Sequence, residues 1–347
     1  MFFKSMKKIR VAINGCGRIG RAFLKIAKDR PEIEIVAVND LADINNIAYL
    51  LKYDSVYGKS DFEVFAKTGS KPTLSIEGKE VIYLSEKDPA VLPWKDLNID
   101  IVVESTGLFT NFDKAKAHIN AGAKRVVISA PAKGESVERG ATVLMGVNEK
   151  ELSTCKISSN ASCTTNAGSP LLAILDEAIG VEKAILNTVH GYTASQAIVD
   201  APNKKDWREG RAGAQNIIPS STGAAIATAK ALKQFENKFD GISVRVPVVC
   251  GSVADITFIS KKNTTVEEVN GALKKASGEA RWKGIFTVTE EELVSSDILG
   301  LPFASIADLK FTRVVDGNLV KVLAWYDNEM GYTYTLIDHV VKAGNLI

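Results

Sequence analysis

KIRVAINGCGRIGRAFLKIAKDRPEIEIVAVND, residues 8–40, reads as strand, glycine turn, helix and strand. Residues 8–14 are a short apolar run that ends in glycines, the pattern of a buried strand. From Arg18 to Asp29 the apolar residues Ile19, Phe23, Ile26 and Ala27 recur at helical spacing, and Pro31 closes the helix. Residues 33–39 form a second apolar strand, followed by Asp40. One such βαβ unit implies a parallel sheet with a right-handed crossover. The turn itself, Gly15-Cys16-Gly17-Arg18-Ile19-Gly20, is G-x-G-x-x-G, and Asp40 stands 20 residues beyond Gly20. That context makes it a dinucleotide-binding fingerprint. Gly15 permits a tight turn, Gly17 lets backbone approach a pyrophosphate, and Gly20 lets helix and strand pack closely. The helix N-terminus offers free N–H groups to the phosphates. Asp40 accepts from ribose hydroxyls and repels a 2′-phosphate, so NAD is expected over NADP. A glycine turn without a ligand is the bland alternative.

Working outward, strands and helices alternate to about residue 160. Strands are expected at 100–104, 125–129, 141–147 and 155–158, a helix at 113–121, and an antiparallel edge hairpin within 65–84. After Cys163 the character changes. A helix at 171–179 leads into longer strands at 184–189, 241–247, 254–260, 311–315 and 321–326, with helices at 224–234 and 266–276. The expected fold class is α/β: a Rossmann-type doubly wound parallel sheet plus an α+β catalytic domain on a mixed or antiparallel sheet. The domains are expected at 1–162 and 163–327, with an amphipathic C-terminal helix in 328–347 packing back on the first. A length of 347 residues suits two domains.

Composition narrows the function classes. Hydrophobic residues are 46% and charged residues 24%, ordinary for a globular chain. With 43 Lys+Arg against 41 Asp+Glu, the net charge of +2 gives no footprint for nucleic acid or an anionic membrane. Four cysteines without C-x-x-C spacing argue against a disulfide framework or a structural metal, so no metal is expected. Only Met1–Phe3 are apolar before Lys4, too few for a secretory leader, and Met6 is an alternative start; a cytoplasmic protein is expected. Residues 157–175 and 212–229 carry no charge but are rich in Ser, Thr and Asn, which suits polar backbone lining a site rather than a membrane span.

Cys163 is the candidate nucleophile, because a helix start just beyond it would stabilise its thiolate. Of the three histidines, His118 shares a charged helix with Lys114 and Lys116 and is expected in solvent, and His339 lies in the tail. His190 ends an apolar strand, which leaves Cys163–His190 as the candidate nucleophile–base pair, expected to form an ion pair. From chemistry alone, a buried structural cysteine remains equally open.

The motifs taken together resemble one family. AINGCGRIGR (12–21), SNASCTTN (159–166), HGYT (190–193), QNIIPSSTGAA (215–225), RVP (245–247) and WYDNEMGY (325–332) occur in order, and the chain looks like a phosphorylating glyceraldehyde-3-phosphate dehydrogenase. The resemblance implies oxidation of glyceraldehyde 3-phosphate to 1,3-bisphosphoglycerate with NAD and inorganic phosphate, in glycolysis, through a cysteine thiohemiacetal and a thioester intermediate. It implies catalytic roles for Cys163 and His190. It places Ser162, Thr164, Thr222 and Gly223 on the attacking phosphate, and Thr193, Ser195 and Arg245 on the substrate's own phosphate. Along the cofactor it places Gly15, Gly17, Arg18, Ile19, Gly20, Asp40, Lys87, Thr106, Gly107 and Ser129, with Asn328 on the nicotinamide amide and Tyr332 beside it. A homotetramer is implied by the segment 200–213. Cys16, Ala167, Ser195, Ile226 and residues 248–252 depart from the common pattern. The alternatives are an erythrose-4-phosphate dehydrogenase, which hydrolyses its acyl-enzyme, and a non-catalytic binding protein.

Overall fold

The computed structural model describes residues 8–134 and 140–347. The chain divides into two compact units. The first is built from the chain up to Val143, Glu149–Ala161 and Leu336–Ile347; the second from Leu144–Asn148 and Ser162–Thr335.

In the first unit, β1 (Ile9–Asn14), α1 (Arg18–Ala27) and β2 (Ile33–Asn39) form the βαβ unit. They are followed by α2 (Ile44–Lys52), the small hairpin β3 (Tyr53–Asp54) and β4 (Gly58–Lys59), then β5 (Val64–Lys67), β6 (Thr73–Ile76) and β7 (Lys79–Leu84). Next come β8 (Ile101–Glu104), α3 (Phe112–Asn120), β9 (Arg125–Ile128), β10 (Gly140–Thr142) and β11 (Ile157–Ser159). Nine strands form one sheet in the order β10-β11-β9-β8-β1-β2-β7-β6-β5. It is parallel from β10 to β7, and the two edge pairings, β7–β6 and β6–β5, are antiparallel. The strands read as continuous apolar runs because both faces are covered: Val11, Ile13, Val102, Val103, Val126 and Val127 are fully buried. β1 sits between β2 and β8, so the strand order reverses there. In doubly wound sheets that switch point, at the carboxyl ends of the strands, is where ligands bind.

The second unit contains α4 (Cys163–Ile179), β12 (Val181–Gly191), β13 (Ile218–Ser221), α5 (Ala224–Ala231), β14 (Phe239–Val246), β15 (Ser252–Ser260), α6 (Val266–Ser277), β16 (Phe286–Thr289), β17 (Ser305–Val315) and β18 (Leu319–Tyr326). Its seven-stranded sheet has the order β13-β14-β12-β15-β18-β17-β16 and is mixed: β12–β14 and β16–β17 are parallel, the other pairs antiparallel. The last helix, α7 (Met330–Gly344), begins in the second unit and ends in the first. Asp327 caps it, accepting from the N–H groups of Glu329 and Met330, both at 2.8 Å.

Three expectations change. The helix expected at 171–179 starts eight residues earlier, at Cys163, and runs through Pro170. Packing overrides the proline there, since every residue from Thr164 to Leu175 is buried. The strand expected at 141–147 ends at Thr142, and residues 144–148 belong to the second unit, where Gly146 at φ +76° packs against Trp282. His118 is fully buried rather than solvated, because α3 turns Phe112, Ala115 and His118 inward and its lysines out. His339 is also fully buried. Its Nδ1 lies 3.0 Å from Asn160 Oδ1 and its Nε2 2.7 Å from Ser158 Oγ, and burial, then Lys342, push its pKa down to about 3.

Candidate active site

The first unit gathers its candidate residues at the carboxyl ends of β1, β2, β8 and β9. Gly15 has φ +96°, and a Cβ there would lie 2.6 Å from the backbone nitrogen of Thr106. A Cβ on Gly20 would lie 2.1 Å from the Gly15 carbonyl oxygen. Both positions therefore exclude side chains, and the turn is clamped against the loop after β8. A Cβ on Gly17 would meet nothing within 4 Å, so the turn keeps an open cradle. Gly17 caps α1 without a side-chain bond, so no capping side chain covers the start of that helix, the positive end of its dipole. Asp40 Oδ2 accepts from the Cys16 N–H at 2.6 Å and Oδ1 from the Ala42 N–H at 2.9 Å, which fixes the carboxylate beside the turn. Arg18 turns its guanidinium onto Asp54, at 2.7 and 3.2 Å, so what it can offer a cofactor is backbone. Ile19 follows it in the first turn of α1. Thr106 and Gly107 form the loop after β8, and Ser129 follows β9 with its hydroxyl donating to the Glu104 carbonyl at 3.1 Å. Lys87 is exposed beyond β7. A cradle with open space, a helix start beside it and a fixed carboxylate fits a dinucleotide.

In the second unit, Ala161 precedes the nucleophile segment in the left-handed region, at φ +54°. Ser162 then caps α4, its hydroxyl accepting from the Thr165 N–H at 3.1 Å. Cys163 is thus the first residue of the helix. His190 stands near the end of β12, and its Nε2 lies 3.5 Å from Cys163 Sγ. Its register partner on the parallel strand β14 is Arg245, whose Nη1 lies 2.6 Å from His190 Nδ1. The Gly191 carbonyl oxygen also lies 2.6 Å from Nδ1. A ring nitrogen is either donor or acceptor, so guanidinium and carbonyl compete for it.

Electrostatics here run against the expected ion pair. Burial pushes the Cys163 thiol up, opposed by Arg245, the Thr164 side chain and the first helix N–H groups. Burial and then the Arg245 guanidinium push His190 down to about 3, opposed by the Gly191 carbonyl. Burial thus works against the charged form on both partners, and the helix terminus opposes burial only at the sulfur. The other cysteines are buried, with Cys16 pushed up to about 12 and Cys155 to about 11, chiefly by burial.

The remaining candidates fall around this pair and on neighbouring loops. Thr164 Oγ1 lies 2.9 Å from the Tyr326 hydroxyl, which in turn lies 2.7 Å from Thr188 Oγ1. Thr193 and Ser195 share a 2.9 Å hydroxyl contact on the loop after β12, and Thr222 and Gly223 open α5. The amide oxygen of Asn328 accepts from the Gly251 N–H at 3.0 Å and from Ser252 Oγ at 2.9 Å. That leaves the amide N–H groups of Asn328 as what it can donate to a ligand. Tyr332 is buried in the first turn of α7. Sequence reasoning missed Tyr326. Its ring meets His190 edge-on at 5.9 Å between centroids, and its hydroxyl joins Thr164 to Thr188. The signal was present: Val320, Val322, Ala324 and Tyr326 alternate as the buried positions of β18.

Residues 162–328 match the family model described as glyceraldehyde 3-phosphate dehydrogenase, C-terminal domain, and residues 9–112 match the NAD binding domain of the same family. The chain is 47% identical to glyceraldehyde-3-phosphate dehydrogenase of Streptomyces coelicolor over 97% of its length and 99% of the relative's. The chain belongs to the glyceraldehyde-3-phosphate dehydrogenase family. Enzymes of that name from Thermotoga maritima (49% identical, covering 95% of this chain and 97% of the relative) and Geobacillus stearothermophilus (47%, 95% and 96%) are also similar. Membership makes the chain an NAD-dependent oxidoreductase with a Rossmann-type cofactor domain, as its glycine turn and strand order already indicated.

Proposed function

We propose that the chain catalyses phosphorylating oxidation of glyceraldehyde 3-phosphate to 1,3-bisphosphoglycerate. The observation that carries this reading is Cys163 at the first position of a helix with His190 Nε2 3.5 Å from its sulfur. Cys163 gives its proton to the neutral imidazole of His190 as sulfur attacks the aldehyde carbon, forming the C–S bond of a thiohemiacetal. His190 and the Cys163 N–H then donate to the oxygen that gains charge. Bound NAD supplies the hydride acceptor. What remains on Cys163 is a thioester, which keeps much of the oxidation energy for acyl transfer. Inorganic phosphate attacks its carbonyl carbon, the C–S bond breaks, and the thiolate returns. Hydroxyls and N–H groups of Ser162, Thr164, Thr222 and Gly223 hold that phosphate, while Thr193, Ser195 and Arg245 hold the substrate's own. Asp40, Lys87, Thr106, Gly107, Ser129, Asn328 and Tyr332 line the cofactor, with the N–H groups of Arg18 and Ile19 on its phosphates.

A homotetramer is part of the same reading. It is supported by the exposed apolar residues Ile198, Val199 and Trp207 around the 200–213 segment, with Ile185, Ile242 and Leu319 exposed elsewhere on the second unit. Cysteines that form no disulfide support a reducing, cytoplasmic setting. NADH formation from glyceraldehyde 3-phosphate is measured with and without inorganic phosphate. The expected result is phosphate-dependent turnover; turnover indifferent to phosphate rejects the phosphorylating reading and leaves hydrolysis of the acyl-enzyme.

A further inference from the structure

Beneath the glycine turn lies a buried polar chain that none of the chemistry above uses. Glu104, at the end of β8, is 1% exposed and carries a carboxylate into the sheet. Its Oε2 accepts from Asn14 Nδ2 at 2.6 Å and lies 3.0 Å from His118 Nε2. Its Oε1 accepts from the Thr106 N–H at 2.9 Å and from the Thr106 hydroxyl. Behind it, the Trp94 indole N–H donates to His118 Nδ1 at 3.0 Å. An indole can only donate, so Nδ1 is the acceptor and the ring proton sits on Nε2, facing the carboxylate. On the other side, Asn14 Oδ1 accepts from Asn39 Nδ2 at 2.7 Å, and Asn39 pairs with the Glu86 backbone at 2.8 and 2.9 Å.

The order of residues gives this chain a purpose. Asn14 is followed by Gly15, Asn39 by Asp40, and Glu104 lies two residues before Thr106. One carboxylate therefore ties together the ends of β1, β2 and β8 just before each delivers a cofactor residue. A buried carboxylate is a poor way to gain stability, since apolar packing in its place often does as well. We propose that Glu104, oriented by His118 and Trp94, is a positioning residue for dinucleotide binding that sets the spacing of the Gly15 turn, Asp40 and the Thr106–Gly107 turn. This rests on the reading that the first unit binds NAD.

The test is NAD titration by calorimetry on the full chain, with two variants. In Glu104→Gln, one oxygen becomes an NH2 that must face either Thr106 or Asn14 and His118, all donors. Affinity for NAD is expected to weaken by about tenfold, and KM for NAD to rise by more than kcat falls. Trp94→Phe keeps an aromatic ring but removes the N–H that orients His118, and about threefold weaker binding is expected. Alkylation of Cys163 by iodoacetamide without NAD should proceed at the parent rate in both, which a general loss of structure would not allow. If the parent itself binds no NAD, the cofactor reading fails. If the parent binds and the folded variants bind equally well, or if alkylation changes along with affinity, the positioning role is overturned. Should Glu104→Gln not fold, unchanged affinity in Trp94→Phe overturns it alone.

Discussion

Replacing His190 with asparagine tests how the imidazole acts on the thiol. The ring reaches Cys163 in two ways that pull in opposite directions. Its Nε2, 3.5 Å from Sγ, can hydrogen-bond the thiolate, while its bulk helps to bury the sulfur. A hydrogen bond to a charged group contributes about 1.5–3 kcal/mol, which is about one to two pKa units. Losing it raises the Cys163 pKa further above the ordinary thiol value and lowers the thiolate fraction at pH 7 by about 10- to 100-fold. A more basic thiolate is also more nucleophilic, with a coefficient of about 0.5, which recovers half of that loss on a logarithmic scale. The net expectation for His190→Asn is alkylation by iodoacetamide about three- to tenfold slower at pH 7. The rate should rise with pH through the thiol pKa in both proteins, but later in the variant, and the curves should cross at high pH. The assay is a pH–rate profile from pH 6 to about 11. Faster alkylation at neutral pH, with the profile shifted to lower pH, would refute the reasoning, because the ring's main effect would then be to exclude water.

Cys163→Ser should remove nearly all dehydrogenase activity while Cys155→Ser retains it; comparable losses in steady-state rate would move the nucleophile elsewhere. Asp40→Ala removes the carboxylate that accepts from the Cys16 and Ala42 N–H groups, and the ratio of kcat/KM for NADP to that for NAD should rise. An unchanged ratio counts against its role in cofactor choice. Gly20→Ala would bring a Cβ to 2.1 Å from a backbone oxygen that cannot yield cheaply, and should cost about 3 kcal/mol in denaturant unfolding. Parent-like stability would mean that helix and turn can separate without penalty.

The nucleotide half of the fold was legible because its signals are local. A strand, a glycine turn and a helix lie within 33 residues, and the acid that completes them directly follows the next strand. The start of α4 was less so: Pro170 ordinarily marks a helix start, and only burial of the whole segment carries the helix back to Cys163. Lys114 and Lys116 suggested solvent for His118, although Phe112, Ala115 and His118 at a spacing of three already marked an inward face. The Cys163–His190 pair could be named from chain chemistry. Its charge state could not, because that depends on burial and on Arg245, which reaches His190 only through the pairing of β12 with β14. Tyr326 escaped for the same reason, since its hydroxyl contacts lie 138 and 162 residues away along the chain.

The division of α7 has a consequence for how the protein is made. The nucleotide-binding unit draws its final segment, Leu336–Ile347, from the very end of the described chain. Leu336, Ile337 and Val340 there are fully buried, and His339 supplies the partner for Ser158 and Asn160. A ribosome that has released the first 160 residues has therefore released an unfinished body, which lacks the apolar residues of a helix translated long after it. The half that emerges first is completed only when that helix arrives, and until then the apolar residues it packs against face water, which favours aggregation.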